Sequence, residues 1–506
     1  MTIAELIVEM ESRGIVLSLS DDEVRYRSPK NALTVSDKDH LRARRAEVVA
    51  YLNARDAAHT LRMARADRGP LTPSVAQEMW RLFAGGKDEG LPVALNVGMV
   101  DRLAHDAELV TAAIQQVVAR HEALRARFEL QGNELRAFLN PAESFVVERE
   151  DLRNVAPDSA DEVAIKGAQA FCARVNLIEG QWLTRAKVFA LPNGESVVAL
   201  SSSHMVSDAG TRNIIRNEIH DTLDHGGPRA APSVRYNDYS LAEREFLASP
   251  QGAQLIAYWR RWYEDQPTMK APSNCAPMLW GNGIRIVKQF TIPYRILEQV
   301  RVMSERWKVT PFFIYLTIFS IAISRWSGME RFPLRVLGDK RISLELSSMV
   351  GLMFCADAME IHAPAQADFE TTMRGIFAEY DAALALRIPT LHCWAPQCVR
   401  PQVEAPDYPN RIPAVFNYFR QGAARTKAPK KAVPDTSTHL PWPPQLVTLP
   451  PQIWPRRSSP LFLHVIDSGY EAAASLHFFQ GAVSPPDQES FTKLLFQVFA
   501  ETVNCD

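Results

Sequence analysis

The chain has 506 residues, 46% of them hydrophobic and 23% charged, with a formal net charge of −2. That length exceeds what one hydrophobic core can organise, and the near-neutral balance excludes the basic footprint of a nucleic-acid binder. The six cysteines (Cys172, Cys275, Cys355, Cys393, Cys398, Cys505) include no CxxC pair, so reduced thiols and a cytoplasmic location are expected.

The chain opens with acids where a signal peptide needs bases. Ile3, Leu6, Ile7 and Met10 form a helical stripe closed by Gly14. Alternation over Ile15 to Leu19 and again over Val24 to Arg27, with a polar turn between, predicts a hairpin. Ser36 with Asp39 predicts a capped second helix to about Asn53. Residues 1–55 therefore read as a helix–hairpin–helix module and 56–70 as its linker.

From Leu71 onward strands and helices alternate, which predicts a mixed α/β architecture. Ser196 to Ser202 reads as a strand, Ser207-Asp208 as a turn, and Ile214, Ile215, Ile219 and Leu223 as the stripe of the next helix. The apolar run Pro311 to Ser324 is too short to span a bilayer and reads as a buried helix, with Trp307, Phe312, Phe313, Phe319 and Trp326 packed around it. No membrane association is expected. Ala424 to Pro460 holds nine of the 34 prolines and reads as an extended loop.

The sharpest chemical feature is Ser203-His204-Met205-Val206-Ser207-Asp208-Ala209-Gly210. It places His204 where a buried strand ends and Asp208 where a helix begins. A neutral imidazole held there can accept a proton from an incoming nucleophile. HxxxD is a weak pattern by itself, and His220 with Asp224 repeats it inside a helix, where the two side chains are expected to face each other. Cys393, Cys398 and His392 have poor ligand spacing, so no metal is expected.

Neighbouring motifs give the first copy its context. Leu71 to Trp80 resembles the opening S-x-A-Q motif of nonribosomal peptide synthetase condensation domains, and Arg120-His121-Glu122-Ala123-Leu124-Arg125 their RHExLR. Residues 203–209 are similar to HHxxxDG, Tyr236 to Tyr239 to YxDY, Val350 to Phe354 to a (V/I)GxF segment, and Phe416-Asn417-Tyr418 to a late FNY strand. The resemblance implies two chloramphenicol-acetyltransferase-like lobes in a V shape, at 71–246 and 247–506, with a tunnel between them. It implies that His204 is catalytic. Asp208 is the structural partner of an arginine, Arg120 or Arg125, with Ser203 and Ala209 standing where the family has histidine and glycine. Gly351, Asn417 and Arg341 are implied as tunnel candidates.

Residues 1–55 resemble β-hairpin docking domains. Arg25, Arg27, Lys30, Lys38 and Arg42 are the expected docking bases, and the partner is then the acidic C-terminal tail of an upstream carrier protein. By this resemblance the chain binds no cofactor of its own. An acyl, polyketide or peptidyl chain arrives on a phosphopantetheine arm and passes to an amine or hydroxyl, on a second carrier or on a free small acceptor. A docking module followed by one condensation domain is similar to chain-releasing condensation enzymes of the enacyloxin type. The alternatives are a degenerate domain serving as a recruitment scaffold, which His204 argues against, and transfer from acyl-CoA, which the docking module argues against.

Overall fold

A computed structural model describes residues 3, 6, 7, 10, 15–20, 23–28, 33–49, 52, 71–78, 96–131, 134–174, 182–226, 232, 234–265, 282–341, 345–385, 414–420, 443–449, 452–455, 460–469, 472–480 and 482–503. Contacts divide the chain into a larger unit (Met1–Thr60, Gly252–Gly338, Cys355–Asp506) and a smaller one (Leu61–Gln251, Asp339–Phe354). A single cut near residue 246 does not reproduce this division, because residues 339–354 pack with the preceding unit.

In the N-terminal module β1 (Val16–Ser20) and β2 (Glu23–Arg27) form an antiparallel hairpin with Ser20 opposite Glu23. Ile3, Leu6, Ile7 and Met10 pack against Ile15, Leu17, Val48 and Leu52, a core made wholly of the module's own residues. The helix α1 (Val35–Ala43) starts earlier than Ser36 suggests. Thr34 accepts from Asp37 N at 3.1 Å while Asp37 accepts from Thr34 N at 2.8 Å, a reciprocal box that fixes the first turn.

The smaller unit carries a four-stranded sheet in the order β3 (Asn96–Leu103), β8 (Ser196–Ser203), β7 (Thr184–Ala190), β6 (Val147–Asp151), of which only the β6–β7 pair is parallel. β4 (Ala126–Gln131) and β5 (Glu134–Leu139) make a separate hairpin. All eight residues of β8 are buried, because α2 (Ala107–Arg120), α3 (Pro157–Ala173) and α4 (Ala209–His225) accompany this small sheet. A last helix, α5 (Tyr236–Ala248), follows.

The larger unit is built on an eight-stranded sheet. Its strands are β9 (Asn282–Ile292), β10 (Arg331–Asp339), β11 (Phe354–His362), β12 (Ala414–Arg420), β13 (Val447–Thr448), β14 (Gln452–Pro455), β15 (Leu461–Asp467) and β16 (Ala472–Phe479). One sheet face packs on α6 (Tyr294–Trp307), α7 (Pro311–Ser327), α8 (Phe369–Ala385) and α9 (Pro485–Val503). The helix α7 is buried over most of its circumference because it is the centre of this core: Phe313, Ile314, Phe319 and Ile323 are fully buried. Each such side chain contributes about 1.5–3 kcal/mol of burial. Among the described residues no single helix is long and apolar enough to cross a membrane.

The proline-rich stretch departs from the expected loop at its end, since β13 and β14 both pair antiparallel with β9. Short strands at a sheet margin tolerate proline, because an outward-facing residue needs no ladder donor. Cys393, Cys398 and His392 lie outside the described residues.

Candidate active site

His204 follows the last residue of β8, where the strand's own ladder holds the backbone. Its Nδ1 lies 2.9 Å from the Ser207 carbonyl oxygen. A carbonyl can only accept, so Nδ1 carries the proton and Nε2 holds the lone pair. The ring packs edge-on against Phe354, with centroids 5.9 Å apart. Burial pushes the imidazole below its ordinary pKa; the Asp208 charge and the Ser207 carbonyl oppose that shift without reversing it. His204 is therefore a neutral base at physiological pH.

Asp208 does two jobs. As the N-cap of α4 it accepts from Thr211 N at 2.7 Å, and its second oxygen accepts from Met353 N at 2.7 Å. Its counter-charge is Arg341, whose Nη2 and Nη1 donate to Oδ1 and Oδ2 at 2.9 and 3.1 Å. Arg120 and Arg125, expected in this role, are elsewhere. Arg120 pairs with Glu218 of α4, which His121 also meets at 2.7 Å, and Arg125 donates to the Asn140 carbonyl at 3.0 Å. The RHExLR segment thus fastens α4 by its middle, while Glu122 reaches Arg235 at the start of α5 at 3.3 Å. Although Asp208 is buried, Arg341 and the two backbone donors hold it ionised below the usual carboxylate range.

Arg341 is equally committed. It donates to Met349 O at 2.7 Å, to Asp339 at 2.8 Å and to Thr211 Oγ1 at 2.9 Å. Beside it Lys340 is buried against Glu243 at 3.2 Å and the Tyr239 hydroxyl at 2.9 Å. Two consecutive buried cations therefore each meet an acid of the smaller unit, which explains why residues 339–354 pack there.

Gly351 sits at φ +150° and exchanges bonds with Thr211, its N–H donating to Oγ1 at 2.9 Å and its carbonyl accepting at 2.8 Å. A Cβ here would fall 2.1 Å from the Tyr236 ring, so only glycine fits. Tyr236 in turn bridges Ser74 Oγ at 2.9 Å and the Leu352 carbonyl at 3.0 Å. Gln77 donates to the Met205 carbonyl at 2.8 Å, tying the opening motif to the His204 loop.

Ser203 is buried and structural, its Oγ accepting from Met205 N at 3.2 Å. Ala209 is the first residue of α4, and the position that demands glycine is the next one. A Cβ on Gly210 would lie 2.5 Å from an Arg341 nitrogen. Asn417 belongs to the larger unit, on β12 opposite His464 of β15. The second HxxxD pair is not a pair: His220 meets Asp101 of β3 at 3.1 Å, alongside Arg216 at 2.9 Å, while Asp224 is exposed.

In the N-terminal module Arg25, Tyr26 and Arg42 are exposed, and the Lys38 ammonium lies 5.9 Å from the Tyr26 ring centre. Asp37 is consumed by the helix cap, and Asp39 lies 3.5 Å from Arg42. Lys30 and the Arg27 side chain lie outside the described residues.

The sequence patterns of this site have known counterparts. Residues 95–382 match the Condensation domain family model. This chain belongs to the condensation domain family. Residues 3–53 match the TubC N-terminal docking domain model. Among curated proteins this condensation domain is similar to phosphinothricin tripeptide synthetase PhsC of Streptomyces viridochromogenes, at 26% identity over 309 residues, 58% of this chain and 28% of that protein. It is also similar to malpinin synthetase of Mortierella alpina, at 24% over 299 residues, 56% of this chain and 4% of that one. The chain thus spans well under a third of the length of these two relatives.

Among solved structures it resembles one described as the molecular basis for condensation domain-mediated chain release from the enacyloxin polyketide synthase. That likeness has a TM-score of 0.77 at 32% identity, over 99% of this chain and 96% of that one. The EpoB cyclization-docking bidomain of Sorangium cellulosum shares the fold, with a TM-score of 0.63 at 16% identity over 100% and 98%.

Proposed function

We propose that this condensation domain moves an acyl chain from a carrier-protein phosphopantetheine thioester onto a hydroxyl or amine, releasing it onto a free small acceptor. The observation that carries the reading is the His204 imidazole, neutral and with its Nδ1–H donating to the Ser207 carbonyl, so that Nε2 is the basic atom. An acceptor O–H gives its proton to Nε2 while its oxygen attacks the thioester carbonyl carbon. Collapse of the tetrahedral adduct breaks the C–S bond, and the departing thiolate takes that proton back. Release onto a free acceptor draws on the likeness to the enacyloxin chain-release structure.

The bases of the N-terminal module, exposed Arg25 and Arg42 together with Lys38 beside Tyr26, suit an acidic tail on the upstream carrier. Charge there sets choice of partner and on-rate.

Single-turnover assays with acyl-loaded carrier and matched alcohol and amine acceptors test the proposal. His204→Ala is expected to cut ester formation by about 10² or more. The amide loss is smaller, since a free amine already offers a lone pair. Equal rates for wild type and His204→Ala on both acceptors would replace the enzyme reading with that of a recruitment scaffold.

A further inference from the structure

Ser74-Val75-Ala76-Gln77, the heart of the opening motif, is a capping box. Ser74 Oγ accepts from Gln77 N at 3.2 Å and the Gln77 amide oxygen accepts from Ser74 N at 2.9 Å, closing the first turn of the helix that starts at Val75. Glutamate closes such a box as well as glutamine does. Capping therefore uses the amide oxygen of Gln77 and leaves Nε2 free for a second task.

That nitrogen donates to the Met205 carbonyl at 2.8 Å, and both residues are buried. Within the turn that carries His204 the bonds run inward. Met205 N donates to Ser203 Oγ at 3.2 Å, Val206 N and Ser207 Oγ each donate to the Ser203 carbonyl at 3.0 Å, and His204 Nδ1 donates to the Ser207 carbonyl at 2.9 Å. The Met205 carbonyl points outward, to Gln77. The peptide between Met205 and Val206 is thus held at both ends, its C=O by Gln77 and its N–H by Ser203, and it leads directly to the residue whose carbonyl fixes the imidazole tautomer.

The box is held from behind as well. Tyr236 donates to the Leu352 carbonyl at 3.0 Å, so its oxygen accepts from Ser74 Oγ at 2.9 Å. Burial pushes the Tyr236 phenol above its ordinary pKa, which keeps it protonated and keeps this order of donors. A carboxylate at position 77 would turn an acceptor toward the Met205 carbonyl.

We propose that Gln77 is a positioning residue for His204, its amide N–H holding the Met205 carbonyl so that the turn presents the Ser207 carbonyl to Nδ1. That second task is what demands glutamine over glutamate in this box. That the placement serves acyl transfer rests on the reading under Proposed function; that Gln77 sets the imidazole does not.

The test compares Gln77→Glu, which keeps the box and loses the donor, with Gln77→Met, which loses both and brings no charge. Nuclear magnetic resonance of the full chain without carrier, with ring-15N histidine at pH 8, reads which imidazole nitrogen holds the proton. His204→Ala identifies the His204 signals among the twelve histidines by their loss. Wild type should show a protonated Nδ1 and a bare Nε2. In both variants the two nitrogens should move toward the averaged signal of mixed tautomers, with a native circular dichroism spectrum. In steady-state transfer kcat should fall about tenfold to a hundredfold, with KM for the loaded carrier nearly unchanged. If Gln77→Met does not fold, Gln77→Glu carries the test, since its box is intact. An unchanged His204 tautomer in the folded variants overturns the proposal, and so does a mixed tautomer in wild type. Mixed tautomers in the variants of a protein that transfers no acyl chain overturn the function alone.

Discussion

Removing the arginine of the Asp208–Arg341 pair leaves a buried carboxylate with two backbone donors and, among the described residues, no other cation. Removing the aspartate leaves Arg341 its contact with the half-exposed Asp339. The two single variants should therefore be unequal. Arg341→Met should cost about 3–5 kcal/mol, the usual penalty of halving a buried pair. Asp208→Asn should cost about 1–3 kcal/mol, since its loss is chiefly one of hydrogen bonds. In the double variant no charge is stranded, so its cost should fall short of the sum by roughly 2 kcal/mol. For a unit of this size, about 2–4 °C of melting temperature accompanies each kcal/mol, which puts Arg341→Met some 6–20 °C below wild type. Calorimetry at pH 7 reads this from the transition of the smaller unit. Arg341→Met melting within 2 °C of wild type, or a double variant equal to the sum of the singles, refutes the argument. The sign with pH follows from the lowered Asp208 pKa: the stabilisation is whole above the ordinary carboxylate value and fades as pH falls through the folded one. Asp208→Asn should remove that part of the acid dependence.

The lowered pKa of His204 keeps its base form at mildly acid pH, so the acid limb of kcat/KM should lie below about 6.5. Asp208→Asn, by deleting the charge that favours imidazolium, should move the limb lower still; a limb above 7 contradicts the assignment. Gly351→Ala should fold with a melting temperature many degrees lower, because φ and the Tyr236 ring both oppose a Cβ; thermal scanning fluorimetry checks it. Deleting residues 1–55 should leave the rest folded, since that module keeps its own core, yet slow transfer at low carrier concentration and recover with excess carrier. Turnover unchanged at low carrier concentration removes the docking role.

The strand-to-helix setting of His204 and Asp208 is legible from Ser196 to Leu223, because a buried strand, a polar turn and a helical stripe each have a local signature. The counter-charge of Asp208 is not, since it lies 133 residues away and nearer arginines compete for the assignment. A hint does exist. Glu218 shares the inward stripe of α4 with Thr211, Ile215 and Ile219, and an acid on an apolar stripe requires a cation. That need claims Arg120 and His121, leaving Asp208 to be met from elsewhere. Asp339-Lys340-Arg341, charged immediately after an apolar strand, is the complementary sign. The cap at Thr34 escapes a local reading because Ser36–Asp39 offers the same spacing, and only backbone geometry separates the two boxes. The strands at the end of the proline-rich stretch are hidden for a different reason: their partner, β9, lies some 160 residues upstream.

The excursion of residues 339–354 imposes an order on synthesis. Gln251, the last residue of the smaller unit's contiguous part, leaves the ribosome ninety residues before Arg341. At about 5–20 residues per second that is a delay of roughly 5–20 s, far longer than secondary structure needs to form. During it Asp208 and Glu243 have no cations, so the His204 loop closes only after β10 has been made. A gene split at residue 251 would make that interval permanent, and its first product would carry the histidine without Arg341 and Met353 on Asp208 or the Phe354 ring against the imidazole.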